Sequence, residues 1–245
     1  MALLFDDASS QYLSNANAIV TAVPCSMAAW VYKDDDANAG AIISVGASAT
    51  TANMSLRYNN VEDVTAISRS VLESGDIATS SGAGSNNAWV HAAAVFRTST
   101  SRDAYRDGGN KGSNTAANTP LLLDQTFIGM TADNGSLGTN LFSGRIAEPA
   151  IWNIALSDDD LADLAKGYWP PMIRPDGLVA YWPLYGRASP EPDIIGAFDM
   201  TLNAGPTQVE HPRIIYPSQR EIYKIVAAAV NVPNLMHYYR MRRTA

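Results

Sequence analysis

Apolar residues fall in short runs along the chain, separated by clusters of Gly, Ser, Asn and Asp. SMAAWVY (residues 26–32) lies between Pro24 and a polar stretch running from Lys33 to Asn38. AIISV (41–45) closes at Gly46. In NMSLRY (53–58), alternation puts Met54, Leu56 and Tyr58 on one face. WVHAAAVF (89–96) is apolar on both faces, as an inner strand of a two-layer structure requires. GLVAYWPL (177–184) reads as a further strand, and MTLNAGPTQV (200–209) holds at least one more. Between the runs, DDDANAG, SSGAGSNN, DGGNKGSN and TADNGSLG have the composition of turns. Many short strands spaced by such signals predict an all-β sandwich or barrel.

Two segments break the strand pattern. Ser157 precedes Asp158, Asp159, Asp160, Leu161 and Leu164, with Lys166 and Gly167 closing the run. This predicts one short helix. Ser157 is the N-cap, Asp160 completes a capping box, Leu156 and Leu161 form a hydrophobic staple, and Gly167 supplies the left-handed stop. Three acids meet the positive end of the helix dipole. A cation site is the functional reading of DDD, but capping already accounts for each residue. Further on, Ser218 and Glu221 have capping-box spacing, and Ile222, Ile225, Val226 and Ala229 fall at i, i+3, i+4 and i+7. That predicts an amphipathic helix of about three turns, ended by Val232 and Pro233. Tyr238, Tyr239, Arg240, Met241, Arg242 and Arg243 follow. The chain thus divides into a sandwich domain, residues 1–217, and a C-terminal arm, residues 218–245.

Charge sharpens that division. The net charge is −7, which disfavours nonspecific nucleic-acid binding. Five basic residues and one glutamate give the arm +4, so the remainder carries −11. A short isolated helix needs a surface to pack on. Two readings stand: the arm packs on its own sandwich, or it reaches a neighbouring copy. In the second, Ile222, Ile225, Val226, Ala229, Tyr238, Tyr239, Arg240, Arg242 and Arg243 are the assembly residues. The basic residues follow the helix instead of lining it, which counts against a membrane surface. No apolar stretch reaches transmembrane length. The opening MALLFDDASS lacks the features of a secretory leader. With a single cysteine, Cys25, no intramolecular disulfide or CxxC pattern exists, and synthesis in a reducing cytosol is expected.

FSGRIAEPAIWNIALSDDDLADLAKG (142–167) resembles the penultimate strand and short helix of concanavalin A-like, laminin-G-type jelly rolls. Trp89-x-His91 and the hairpin Tyr105-x-Asp107-Gly108 match the same family, as does Phe5 to Ser9, with Asp7 where the family has glycine. The resemblance covers roughly residues 3–215 and implies a two-sheet antiparallel jelly-roll sandwich with one short helix. A narrower resemblance, IRPDGLVAYWPLYGRASPEPDIIG followed by HPRIIYP (173–217), is to the closing segment of such domains in tailed-phage virion proteins. It implies a non-enzymatic structural role, with head decoration or cement first. Such a protein is made in the host cytoplasm and carried on the virion. It binds the major capsid or other virion proteins and sister copies, with a trimer expected. The alternative is a tail-associated carbohydrate-binding module for host attachment.

His91 shares a face with Trp89, Ala93 and Val95 and reads as scaffold, because no ligand cluster surrounds it in sequence. His211 and His237 have no nucleophile in a recognisable frame, and there is no Gly-x-Ser-x-Gly elbow. Glucanases of this fold carry paired acids on one strand. The lone Glu-x-Asp here, Glu191-Pro192-Asp193, is proline-flanked with no third acid, so hydrolysis is not expected. For sugar binding, Tyr58, Asn59 and Asn60 are candidates, as is Asp133-Asn134-Gly135, though both also read as ordinary turns. No catalytic or metal-ligating set and no cofactor is assigned; calcium occurs at sandwich ends in relatives, with no ligands assignable here.

Overall fold

The computed structural model describes residues 1–34, 38–71, 75–82, 86–133 and 136–217. Two antiparallel sheets form a jelly-roll sandwich. The larger has eight strands. In spatial order these are β10 (Gly109–Asn114), β9 (Ser101–Arg106), β8 (Trp89–Thr98), β3 (Cys25–Lys33), β14 (Gly144–Trp152), β1 (Ala2–Phe5) and β17 (Thr207–Val209), with β15 (Leu178–Tyr181) also on β14. The smaller has seven: β16 (Thr201–Asn203), β2 (Tyr12–Asn15), β11 (Gln125–Ile128), β4 (Gly40–Gly46), β5 (Asn53–Tyr58), β6 (Val64–Arg69) and β7 (Asp76–Thr79). A hairpin of β12 (Thr131–Asp133) and β13 (Ser136–Thr139) stands apart.

Alternation selects the core. Met27, Ala29 and Val31 of β3 pack with Ile43 and Val45 of β4 and Met54 and Leu56 of β5 in one apolar cluster between the sheets. Each such side chain, fully buried, contributes about 1.5–3 kcal/mol. Cys25 lies in this cluster, where burial pushes its thiol up to about 12.

Three readings of the sequence change in detail. The run 177–184 leaves the sheet after Tyr181, yet Trp182 and Leu184 stay fully buried. The run 200–209 splits into β16 and β17, one in each sheet. DGGNKGSN is a turn only at its start; its remainder is β10, an edge strand paired to β9 and tied to it by the Ser113–Asp103 and Arg102–Asn114 side-chain hydrogen bonds. TADNGSLG likewise contains the β12–β13 hairpin. Strand β10 has no apolar alternation because its residues are exposed or half-buried, so hydrophobic period could not reveal it.

The outer face of the larger sheet is half covered. Helix α1 (Asp158–Ala165) begins at Ser157, with both capping-box hydrogen bonds formed, and Gly167 is left-handed at φ +94°. Leu156, Leu161 and Leu164 pack with Trp152, Trp169, Tyr181, Ala93 and Val95 in a second apolar cluster. The Trp152 indole N–H donates to the Ile173 carbonyl (2.9 Å). A polar network ties the helix start to the sheet. Arg97 donates to Asp103 (2.8 Å) and to the Tyr105 hydroxyl (3.1 Å), and that hydroxyl donates to Asp158 (2.6 Å). Lys111 lies 3.3 Å from Asp158 and 3.5 Å from Asp103.

Strand β14 changes partner midway. Residues Gly144 to Ala147 pair with β1, and Ala150 to Trp152 pair with β15. The register against β3 shifts between Ala147 and Ala150, and Glu148 in that bulge has φ +54°. Its carboxylate accepts hydrogen bonds from the Tyr181 hydroxyl and lies 2.8 Å from His211 Nε2. Trp169 donates in turn to the Tyr181 oxygen (2.9 Å).

On one side the sheets close on each other: a Cβ at Gly112 of β10 would fall 1.6 Å from the Thr79 carbonyl oxygen of β7. Gly112→Ala is expected to cost about 3 kcal/mol by forcing those strands apart, read as a lowered midpoint in denaturant unfolding. Acid stability tests the polar network. Burial pushes the Asp103 carboxyl up, but hydrogen bonds from Ser113 and Arg97 and the Lys111 charge outweigh it, leaving it below the ordinary value. A depressed folded-state value means stability that is present above the unfolded value near 4 and lost as pH falls through the folded one. Asp103→Asn should cost about 1–3 kcal/mol at neutral pH and flatten the decline of melting temperature below pH 4.

Candidate functional site

The two described histidines are structural. His91 is 2 % exposed and packs edge-on to Trp30 with ring centres 5.4 Å apart. Burial lowers its pKa to about 3, so the ring is neutral at physiological pH. His211 anchors the last described segment to Glu148. His237 lies outside the described residues, as do the arm positions Ile222, Ile225, Val226, Ala229, Tyr238, Tyr239, Arg240, Arg242 and Arg243.

The acids are occupied by loops and caps. Glu191 accepts from the backbone N–H groups of Tyr185 and Gly186. Burial pushes its carboxyl up to about 7, against the Gly186 hydrogen bond. Asp193 accepts from Tyr181, Ile195, Gly196 and Phe198 backbone N–H groups at 2.9–3.1 Å. Both fold the irregular stretch after β15. In the smaller sheet only β7 carries a carboxylate, Asp76. The DDD run is accounted for in part by the capping box at Asp160 and the Tyr105 and Lys111 contacts of Asp158. Among the described residues, no three His, Cys, Asp or Glu side chains converge as a metal site.

Tyr58 is not a surface aromatic. It is 1 % exposed and belongs to the inter-sheet core, because alternation along β5 turns it inward with Met54 and Leu56. The Asn59 side-chain oxygen accepts from the Val61 and Asp63 N–H groups (3.0 and 2.8 Å), shaping its own turn, with Asn60 exposed at the tip. Asn134 and Gly135 lie outside the described residues.

The tertiary fold instead assembles a cleft that no single stretch of sequence announces. It has a volume of about 310 Å³ and is lined by Asp7, Asn38, Ala39, Asn140 and Leu141. Asp7 sits in the turn after β1, Asn38 and Ala39 precede β4, and Asn140 and Leu141 precede β14, so three loops converge at one end of the sandwich. The Asn38 amide donates to Asp7 (3.3 Å), and the Asn140 amide donates to the Thr131 hydroxyl (2.9 Å). Asn140 holds φ +50° while its carbonyl accepts from Ala41 N–H (2.8 Å), which fixes the loop against β4. Leu141 packs with Tyr12, Phe127 and Met130, and the half-buried Tyr12 ring lies 6.2 Å from that of Phe127. One carboxylate and two carboxamides beside an apolar wall can donate and accept hydrogen bonds to a neutral polyol while covering its C–H face. Nothing in the sequence marks these residues as a site; Asp7 stands out there only as a departure from the family's glycine in the first turn.

Solved structures share this architecture. A heptameric SAP-like pentraxin from Limulus polyphemus aligns with TM-score 0.53 at 14 % identity, over 67 % of this chain and 81 % of that one. A protein from Bacteroides ovatus, described as a carbohydrate binding protein, aligns with TM-score 0.57 at 17 % identity, over 85 % of this chain and 61 % of its own length. The CBM40 of the Ruminococcus gnavus IT-sialidase, bound to α2,3 sialyllactose, aligns with TM-score 0.52 at 15 % identity, over 59 % and 84 %. At these identities the likeness is one of fold. Comparison with curated protein sequences returns no match. The family model of the concanavalin A-like lectin/glucanases superfamily matches residues 7–162, more than half of the chain. With the two-sheet jelly roll, the short capped helix and this match together, the chain belongs to the concanavalin A-like lectin/glucanase superfamily.

Proposed function

We propose that the domain is a non-catalytic carbohydrate-binding module whose site is the cleft of Asp7, Asn38 and Asn140. The observation that carries this reading is the cleft's chemistry: hydrogen-bonding groups of both senses, converging from three loops beside Leu141. Sugar hydroxyls need such donors and acceptors, and a saccharide's C–H face needs an apolar neighbour. Membership of a lectin and glucanase superfamily, and the sialyllactose bound to one of the fold's neighbours, support the same reading. The loop-clamping roles of Glu191 and Asp193 support binding over hydrolysis.

A second reading rests on the resemblance of residues 173–217 to the closing segment of tailed-phage virion domains. In it the module is a structural part of a virion, as head decoration or as a tail-associated attachment module, with sister copies arranged as a trimer. It is tested by light-scattering mass after size exclusion together with binding to the major capsid protein. A trimer that binds shells supports it, and a monomer with no shell affinity removes it.

For the first reading, a glycan array identifies ligands, and calorimetry on the best of them compares Asp7→Ala with the parent. Loss of a hydrogen bond to a charged group should cost about 1.5–3 kcal/mol, roughly ten- to hundred-fold in Kd. No glycan bound above background, or equal affinity in parent and variant, sinks the assignment.

A further inference from the structure

The polar side chains of the cleft are one-sided in their chemistry. Asp7 brings a carboxylate, which only accepts hydrogen bonds. Asn38 spends an amide N–H on that carboxylate (3.3 Å), and Asn140 spends one on the Thr131 hydroxyl (2.9 Å). A carboxamide has two N–H bonds and an oxygen with two lone pairs, so the set offers a ligand more acceptors than donors. None of the described lining residues is Lys, Arg or His. The cation beside the cleft is withheld: Lys33 is 2 % exposed, and its ammonium donates to the Asn38 backbone carbonyl (2.6 Å), which braces that loop. Two more acids stand near. Asp6, exposed, precedes Asp7, and the exposed Asp34 has its backbone nitrogen beside Gly144, where β14 begins. Residues 1–217 carry −11 in all.

We propose that the cleft is a charge filter: it takes a glycan whose bound unit is uncharged or carries an ammonium group, and it turns away uronic, sialic and sulfated units. Asp7 is the residue that sets this specificity. The selectivity rests on the sugar-binding reading of the same cleft and narrows it. A sugar hydroxyl can donate to Asp7 and also accept from an amide N–H, whereas a ligand carboxylate or sulfate can only accept. The cleft, at about 310 Å³, is at the small end of ligand pockets, so a bound unit stands close to the Asp7 charge. Two like charges about 4 Å apart in water lower affinity roughly five-fold, and more where the walls exclude water. With Lys33 sealed under the Asn38 carbonyl, no lining cation offsets that repulsion. An ammonium group in the same place is favoured for the same reason.

The test uses the full chain and ligands that differ in one charge. The array carries glucose, galactose and mannose oligosaccharides, each beside its uronic form, in which a terminal CH2OH is a carboxylate, together with sialylated, sulfated and amino-sugar glycans. Binding is expected on neutral and amino-sugar structures and not on their acidic partners. Calorimetry on the best-bound pair then compares the parent with Asp7→Asn, which keeps the side chain's size and one acceptor oxygen but removes its charge. The neutral-to-acidic affinity ratio should fall roughly five-fold in the variant, and added salt should narrow the same ratio in the parent. A substitution that merely disturbed the loop would weaken both members of a pair alike, and the salt series on the parent then decides. Glycans bound with acidic members as tight as neutral ones at low salt overturn the filter and leave the sugar-binding reading standing. A ratio that neither Asp7→Asn nor salt moves also overturns it. No glycan bound at all sinks both.

Discussion

Everything on the outer face of the larger sheet hangs on the bulge at Glu148. Strand β14 must give one edge to β1 and then, two residues later, to β15. A regular strand could not do both, because its hydrogen-bonding edge would run straight past one partner. Placing Glu148 at φ +54° inserts the extra residue, and Pro149 after it has no N–H to leave unpaired. The strain of a left-handed non-glycine is offset by the Glu148 carboxylate, which holds Tyr181 of the incoming strand and His211 of the closing segment. One side chain therefore couples the middle of the sheet to the end of the described chain.

The consequence is a sandwich with two kinds of interior. Between the sheets the contacts are mostly aliphatic, with Phe5, Phe96, Phe142 and Trp182 among them, and the Trp182 indole N–H donates to the Phe198 carbonyl (2.9 Å). Under α1 and the segment after it, tryptophan and tyrosine dominate, and their N–H and O–H groups are satisfied by carbonyls, carboxylates and one another. Such a layer can bury large rings because each polar tip finds a partner. It stops short of Trp30, Tyr32 and Trp89, which leaves an aromatic row at the same end of the molecule as the polar cleft. The cleft forms where the connections after β1 and before β4 and β14 converge.

A jelly roll of this kind can change its site without changing its frame. The residues that set the frame are inward-facing apolar positions, the Glu148 bulge and the capped helix. Those that line the cleft lie outside every strand, in the connections after β1 and before β4 and β14. Substitution at Asp7 or Asn38 therefore touches the cleft and leaves the apolar core in place, whereas substitution at Gly112 or Asp103 bears on the frame itself.

By itself the sequence determined the all-β class, the inner strands, and the helix with its cap, staple and stop. Each of these rests on contacts between residues near in the chain, or on an alternation that only one face of a sheet satisfies. It also determined that Ser157 and Asp160 are caps and that Glu191-Pro192-Asp193 lies outside any central strand. Only the tertiary structure decided that Tyr58 points inward, that the polar run 109–114 is a strand, and that residues 200–209 serve both sheets. It alone brought Asp7, Asn38 and Asn140 together, and Trp89, Tyr32, Arg145 and Leu4 into one row. Those groupings join residues up to about 140 positions apart, and local periodicity carries no information about which strands become neighbours. That choice belongs to the non-local pairing of the jelly roll.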